Sequence, residues 1–74
     1  MIKGIIKKIE YVKSANKFDG NGQRIDTIID INNMSFMYIG KLNYKVGQLV
    51  HVTYEVMKFN NVYFIIDKIN VVKT

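Results

Sequence analysis

The sequence predicts an all-β domain, five strands closed into a small barrel with little or no helix. Three observations predict it. From Val46 to Val72, two runs rich in Val, Ile, Tyr and Phe flank a polar break at Asn60-Asn61. β-Branched and aromatic residues suit a pleated, half-buried surface, and Asn tolerates the positive φ of a tight hairpin turn. A second pair of such runs flanks Asn32-Asn33, and a long apolar run carrying Gly4 opens the chain. Hairpins this apolar do not stand alone in water, so the runs are expected to cover one another around one core.

In chain order, Ile2 to Lys13 reads as strand 1. Its apolar residues Ile2, Ile5, Ile6, Ile9, Tyr11 and Val12 fit no single period-two face and switch sides around Ile5-Ile6, just after Gly4. A glycine beside a parity switch predicts a bulge in a strand that serves two sheets. The spacing of Ile2, Ile5, Ile6 and Ile9 also fits a helix; the glycine and the β-branched content favour the strand. Ser14 to Gln23 is a loop built on Asp19-Gly20 and Asn21-Gly22, dipeptides that favour turns. Phe18, near its tip, is either clamped back over the barrel end or offered to a ligand.

Strand 2, Arg24 to Ile31, and strand 3, Met34 to Ile39, meet at Asn32-Asn33. A two-residue loop sets Ile31 opposite Met34, Ile29 opposite Phe36 and Thr27 opposite Tyr38. One face then holds Ile25, Thr27, Ile29, Ile31, Met34, Phe36 and Tyr38; the other holds Asp26, Ile28, Asp30, Ser35, Met37 and Ile39. The first face reads as core, with Phe36 and Tyr38 a stacking platform if the second packs inward instead. A three-residue loop reverses the relative facing. Gly40 to Gln48 is a basic connector with room for one helical turn. Strand 4 runs Leu49 to Lys58, with Val50, Val52, Tyr54 and Val56 on one side, and strand 5 runs Val62 to Val72.

The 74 residues make one domain, with no linker, repeat or low-complexity segment. The absence of Cys excludes disulfides and thiolate metal sites. One His and six carboxylates suggest no metal cluster and no cofactor. No apolar run approaches the roughly 18 residues of a membrane span, and the N-terminal stretch lacks a signal-peptide layout. A cytoplasmic protein without membrane partners is expected. Catalysis is not expected, because no nucleophile motif or phosphate loop is present and His51 stands alone on a strand face. Eleven basic against six acidic residues give a net charge of +5 and a pI near 9.6. Such a charge either favours an anionic partner or keeps a small β protein soluble.

Gly4-Ile5-Ile6 in the long first strand, followed by Val46-Gly47-Gln48-Leu49-Val50-His51-Val52, resembles the G-x-I and V-G-D-x-V-x-V rhythm of OB-fold nucleic-acid-binding proteins. The resemblance spans nearly the whole chain, on packing and turn positions. Gln48 stands where that rhythm has Asp, and the paired aromatic signatures of the cold-shock family are absent. The length matches one-domain bacterial initiation factors of this type. The resemblance implies a five-stranded OB-fold-like Greek-key barrel and a nucleic-acid ligand.

Single-strand binding asks for cations along a groove and aromatic faces for bases. OB folds place these on strands 2 and 3 and on the loops joining strands 1–2 and 4–5. The corresponding candidates are Lys17, Phe18 and Arg24 at one loop, Phe36 and Tyr38 on strand 3, and Lys58, Phe59 and Tyr63 at the other loop, with Lys41 and Tyr44 on the connector. The expected function is single-stranded DNA binding, as an accessory to a polymerase, primase or helicase of a phage or mobile element. Self-association would strengthen so small a module. Two alternatives stay open: RNA or ribosome binding, and a protein–protein module or phage-type inhibitor that pairs through an edge such as Ile65 to Val72.

Overall fold

The computed structural model describes residues 2–15, 23–58 and 61–73. It contains β1 (Ile2–Ala15), β2 (Gln23–Ile31), β3 (Met34–Tyr38), β4 (Leu49–Lys58) and β5 (Val62–Val71). They close in the order β1-β2-β3-β5-β4, with β1 returning to β4. The fold is therefore all-β, a small OB-fold-like Greek-key barrel, with no helix among the described residues.

Closure depends on β1 serving two neighbours. Ile2 to Ile5 pair with β4, and Ile6 to Ala15 pair with β2. The register slips between Ile6 and Lys8, so Lys7 is the extra residue of a bulge. The parity switch expected at Ile5-Ile6 thus falls slightly later, with Ile6 buried on one side of the bulge and Ile9 packed on the core on the other. Gly4 has a different task. A Cβ there would lie 2.6 Å from Ile31 Cγ2 and 2.8 Å from Asn32 Oδ1, so the corner of the β2–β3 hairpin packs where a side chain would stand. Asn32 Nδ2 donates to Lys3 O across the same contact.

The β2–β3 turn is the two-residue form. Asn32 and Asn33 have φ of 52° and 63°, the double left-handed geometry that matches strand twist. The register is Ile31 to Met34, Ile29 to Phe36 and Thr27 to Tyr38. The face that begins at Thr27 is the inner one. Ile25 continues it but is exposed, because the β1–β2 hairpin runs on past the barrel there.

The core comprises Ile6, Ile29, Ile31, Phe36, Val50, Val52, Ile66 and Ile69. Phe36 meets Tyr54 edge-on at 5.1 Å between ring centroids and Phe64 at 5.9 Å, and Tyr54 meets Phe64 at 5.6 Å. Edge-to-face contacts of this kind suit the ring quadrupole. Ile66 and Ile69 are both buried although three apart, because Asp67 is an extra residue opposite the step from Thr53 to Tyr54.

The connector holds no helical turn; it crosses one end of the barrel as an extended strap. Thr27 Oγ1 donates to Gly40 O and accepts from Leu42 N, each at 2.9 Å. Asp26 Oδ1 accepts from Gly40 N at 3.2 Å, which gives this buried carboxylate a structural role. Tyr11 OH donates to Leu42 O and Tyr44 OH to Ile69 O, fastening the strap to β1 and β5. At its far end Gly47, at φ +96°, makes the turn into β4. Gln48 Oε1 accepts from Lys45 N at 2.7 Å, so the amide oxygen closes the turn where the related pattern has a carboxylate.

The edge expected over Ile65 to Val72 is paired by β4 on one side, while β3 joins the other side only at Phe64 and Ile65, so past Ile65 that side has no strand partner among the described residues. β4 has a further unpaired stretch among the described residues, where Thr53 to Lys58 extend past Val52, the last residue that β1 reaches.

Candidate nucleic-acid interface

Alternation decides which side chains a ligand can reach. With Thr27, Phe36 and their row turned inward, the outer face of β1, β2 and β3 carries two cross-strand rows. One is Lys8, Asp30 and Ser35; the next is Glu10, Ile28 and Met37, continued by Ile65 on β5. Between β3 and the start of β5 these rows border an open cleft of about 450 Å³. Its walls are Ile28, Met37, Val62, Tyr63 and Phe64, backed from within by the buried Phe36, and its polar groups are Asp30, Ser35, Lys8 and Glu10. The volume lies within the roughly 300–1,000 Å³ of small-ligand sites.

The polar groups are ordered by one another. Ser35 Oγ donates to Asp30 Oδ1 at 2.7 Å. Lys8 pairs with Glu10, two residues along the same face. That hydrogen bond raises the Lys8 pKa above its usual value, helped by the charges of Glu10 and Asp30. With one lysine against two carboxylates, the cleft itself is not basic. The chain's positive excess lies outside it, on exposed residues such as Lys7, Lys13, Lys41 and Lys58.

The residues singled out from the sequence divide between surface and core. Phe36 is removed from the candidate surface: at 0% exposure it lies at the centre of the core and presents no face to a base. Tyr38 is half-buried on the same inner face and packs against that core, so it is not an outward platform. With Leu42, Tyr44, Asp67 and Lys68 it borders a second depression under the strap. Lys41 finds its aromatic partner in Tyr11, with Nζ 5.7 Å from the ring centroid, and not in Tyr44. Lys58 and Tyr63 sit on one hairpin, but Lys58 pairs with Val62 and Tyr63 with Met57, so they project to opposite sides. Lys17, Phe18 and Phe59 lie outside the described residues, as does the side chain of Arg24.

Tyr63 remains as the exposed aromatic at the cleft, at 38% exposure. Lys8, Ile28, Asp30, Ser35 and Met37 were not among the candidates, although alternation assigns the β2 and β3 members to the outer face once the turn length is known. Beside Tyr63, Met37, Ile39, Met57 and Ile65 form an apolar hollow without a polar group. His51 is exposed, with Lys3 and Asn70 as its cross-strand neighbours. Among the described residues no three His, Cys, Asp or Glu cluster to hold a metal ion. No helix among the described residues is long and apolar enough to cross a membrane. Comparisons with protein-family models, curated proteins and solved structures return no match.

Proposed function

We propose that this protein binds single-stranded DNA across the outer face of β1, β2 and β3. The observation that carries the reading is the cleft flanked by the exposed ring of Tyr63, on the outside of a barrel with net charge +5. A base enters the cleft between Met37, Ile28 and Tyr63, while the exposed lysines neutralise phosphate. Stacking and charge need no fixed sequence, which suits general single-strand binding. One domain covers about 4–16 nucleotides, so the module works by self-association or as an accessory to a larger replication protein of a phage or mobile element.

Replacing Tyr63 with Ala tests the stacking surface. Affinity for a labelled oligo-dT of about 20 nucleotides falls by a factor of roughly 5 to 100, since a stacked base contributes about 1–3 kcal/mol. The melting temperature stays within a few degrees, because the ring is solvent-facing. Unchanged fluorescence anisotropy titrations contradict the assignment. A competing RNA of the same length that displaces the DNA at lower concentration moves the reading to RNA.

A second reading, a protein-docking module, draws on a different feature. The apolar hollow joins Ile39, 54% exposed, to the β4–β5 hairpin, where Val56 and Val62 are each 53% exposed beside the unpaired edge of β4. An exposed edge with apolar flanks is suited to strand pairing. Light scattering that shows a strict monomer, with no binding of a hydrophobic dye, counts against this alternative.

A further inference from the structure

A carboxylate inside a DNA-binding cleft is at odds with phosphate, and the chemistry of that carboxylate suggests another role. We infer that Asp30 reads a base edge and that the cleft prefers an unpaired guanine; this rests on the single-strand reading above.

The polar floor of the cleft offers acceptors. Asp30 contributes a carboxylate, and Ser35 has committed its hydroxyl proton to Asp30 Oδ1 at 2.7 Å, which leaves its oxygen able only to accept. Asp30 Oδ2 accepts no hydrogen bond from the described residues. The nearby cation, Lys8, is paired with Glu10, which leaves the carboxylate of Asp30 as the net charge of the site. The register places Lys8, Asp30 and Ser35 side by side on three adjacent strands, so rigid backbone pairing sets the spacing.

An acceptor pair selects a ligand with adjacent donors. Of the four DNA bases, guanine alone presents two neighbouring donors on its Watson–Crick edge, the N1–H and the N2 amino group. Adenine and cytosine each present one amino group beside a ring acceptor. Thymine presents its single N–H between two carbonyls, which would face the Asp30 and Ser35 oxygens unfavourably. The apolar walls, Ile28 and Met37 with Tyr63, supply the stacking that any base would gain. Selectivity comes from the floor and affinity from the walls.

The test compares three labelled oligonucleotides of equal length by anisotropy. These are oligo-dT, the same strand with several spaced guanines, and that strand with inosine at each guanine position. Inosine keeps the ring and N1–H and lacks the N2 amino group. The guanine strand is expected to bind roughly tenfold tighter than the other two, the low end of a bidentate base contact. Asp30→Asn, with its melting temperature checked, is expected to abolish that preference. Equal affinity for all three strands overturns the guanine assignment and leaves general single-strand binding standing. A preference that survives in Asp30→Asn also overturns it. Absence of binding to every strand at low salt overturns both readings.

Discussion

Replacing Phe36 with Ala is expected to remove about 3–5 kcal/mol of stability, the range for deleting a large buried aromatic. A domain of this length holds roughly 4–11 kcal/mol in total, at about 0.05–0.15 kcal/mol per residue. The variant therefore melts more than 10 °C lower, given about 4–8 °C per kcal/mol for a small domain, or does not fold at all. The size of the effect follows from position. Phe36 is fully buried and contacts both Tyr54 and Phe64, so its loss opens a cavity bordered by strands β3, β4 and β5. Thermal unfolding followed by circular dichroism measures it. A Phe36→Ala protein with the melting point of the parent and weakened DNA binding would place the ring on the surface and invert the facing of β2 and β3.

The second large effect is at Thr27. Its hydroxyl both donates to Gly40 O and accepts from Leu42 N, and it is completely buried. Thr27→Val keeps the shape and removes the oxygen, leaving two backbone groups of the strap without their partner. At about 1–3 kcal/mol for each of the two unsatisfied groups, the expected loss is about 2–6 kcal/mol. Thr27→Ser retains the hydroxyl and is expected to lose less. Equal melting points for the Val variant and the parent would show that Asp26 and the tyrosine contacts hold the strap without Thr27.

Much of this architecture was legible in the sequence for physical reasons. Asn32-Asn33 suited a two-residue turn with two positive φ angles while a three-residue loop stayed open, and the two-residue form then sets the register and the inner face of β2 and β3. The alternation of Val50, Val52 and Tyr54 marked β4 in the same way. Bulges were harder to read, because a bulge is a property of a strand and its partners together. Gly4 drew attention to the right part of β1, yet the extra residue is Lys7, and Gly4 is needed for the approach of Ile31. Nothing local marked Asp67 as the extra residue of β5 except the three-residue spacing of Ile66 and Ile69.

The candidate site was less legible. Neighbouring letters such as Lys58, Phe59 and Tyr63 suggested a joint surface, but alternation sends Lys58 and Tyr63 to opposite sides of their hairpin. The cleft draws instead on Lys8, Asp30 and Met37, which are distant in sequence and adjacent only through strand pairing. Tyr11 became the partner of Lys41 because the strap crosses β1, a path set by Thr27 and Asp26. Alternation alone puts Asp26 and Asp30 on the outer face, where carboxylates repel phosphate. Asp26 turns out to hold the strap, and the role proposed for Asp30 concerns the base rather than the phosphate.

The most direct test of single-strand binding is a salt titration of the intact protein with labelled oligo-dT of about 20 nucleotides. Neutralising a few phosphates makes affinity fall with a logarithmic slope of about 0.7 per phosphate on a single strand. Between about 50 and 200 mM salt, contacts to three phosphates weaken binding by roughly one order of magnitude. Tight binding at low salt that weakens by this much is the predicted result. No binding at low salt, or binding indifferent to salt, would contradict the account and leave the lysines as a solvating surface on a protein-docking barrel.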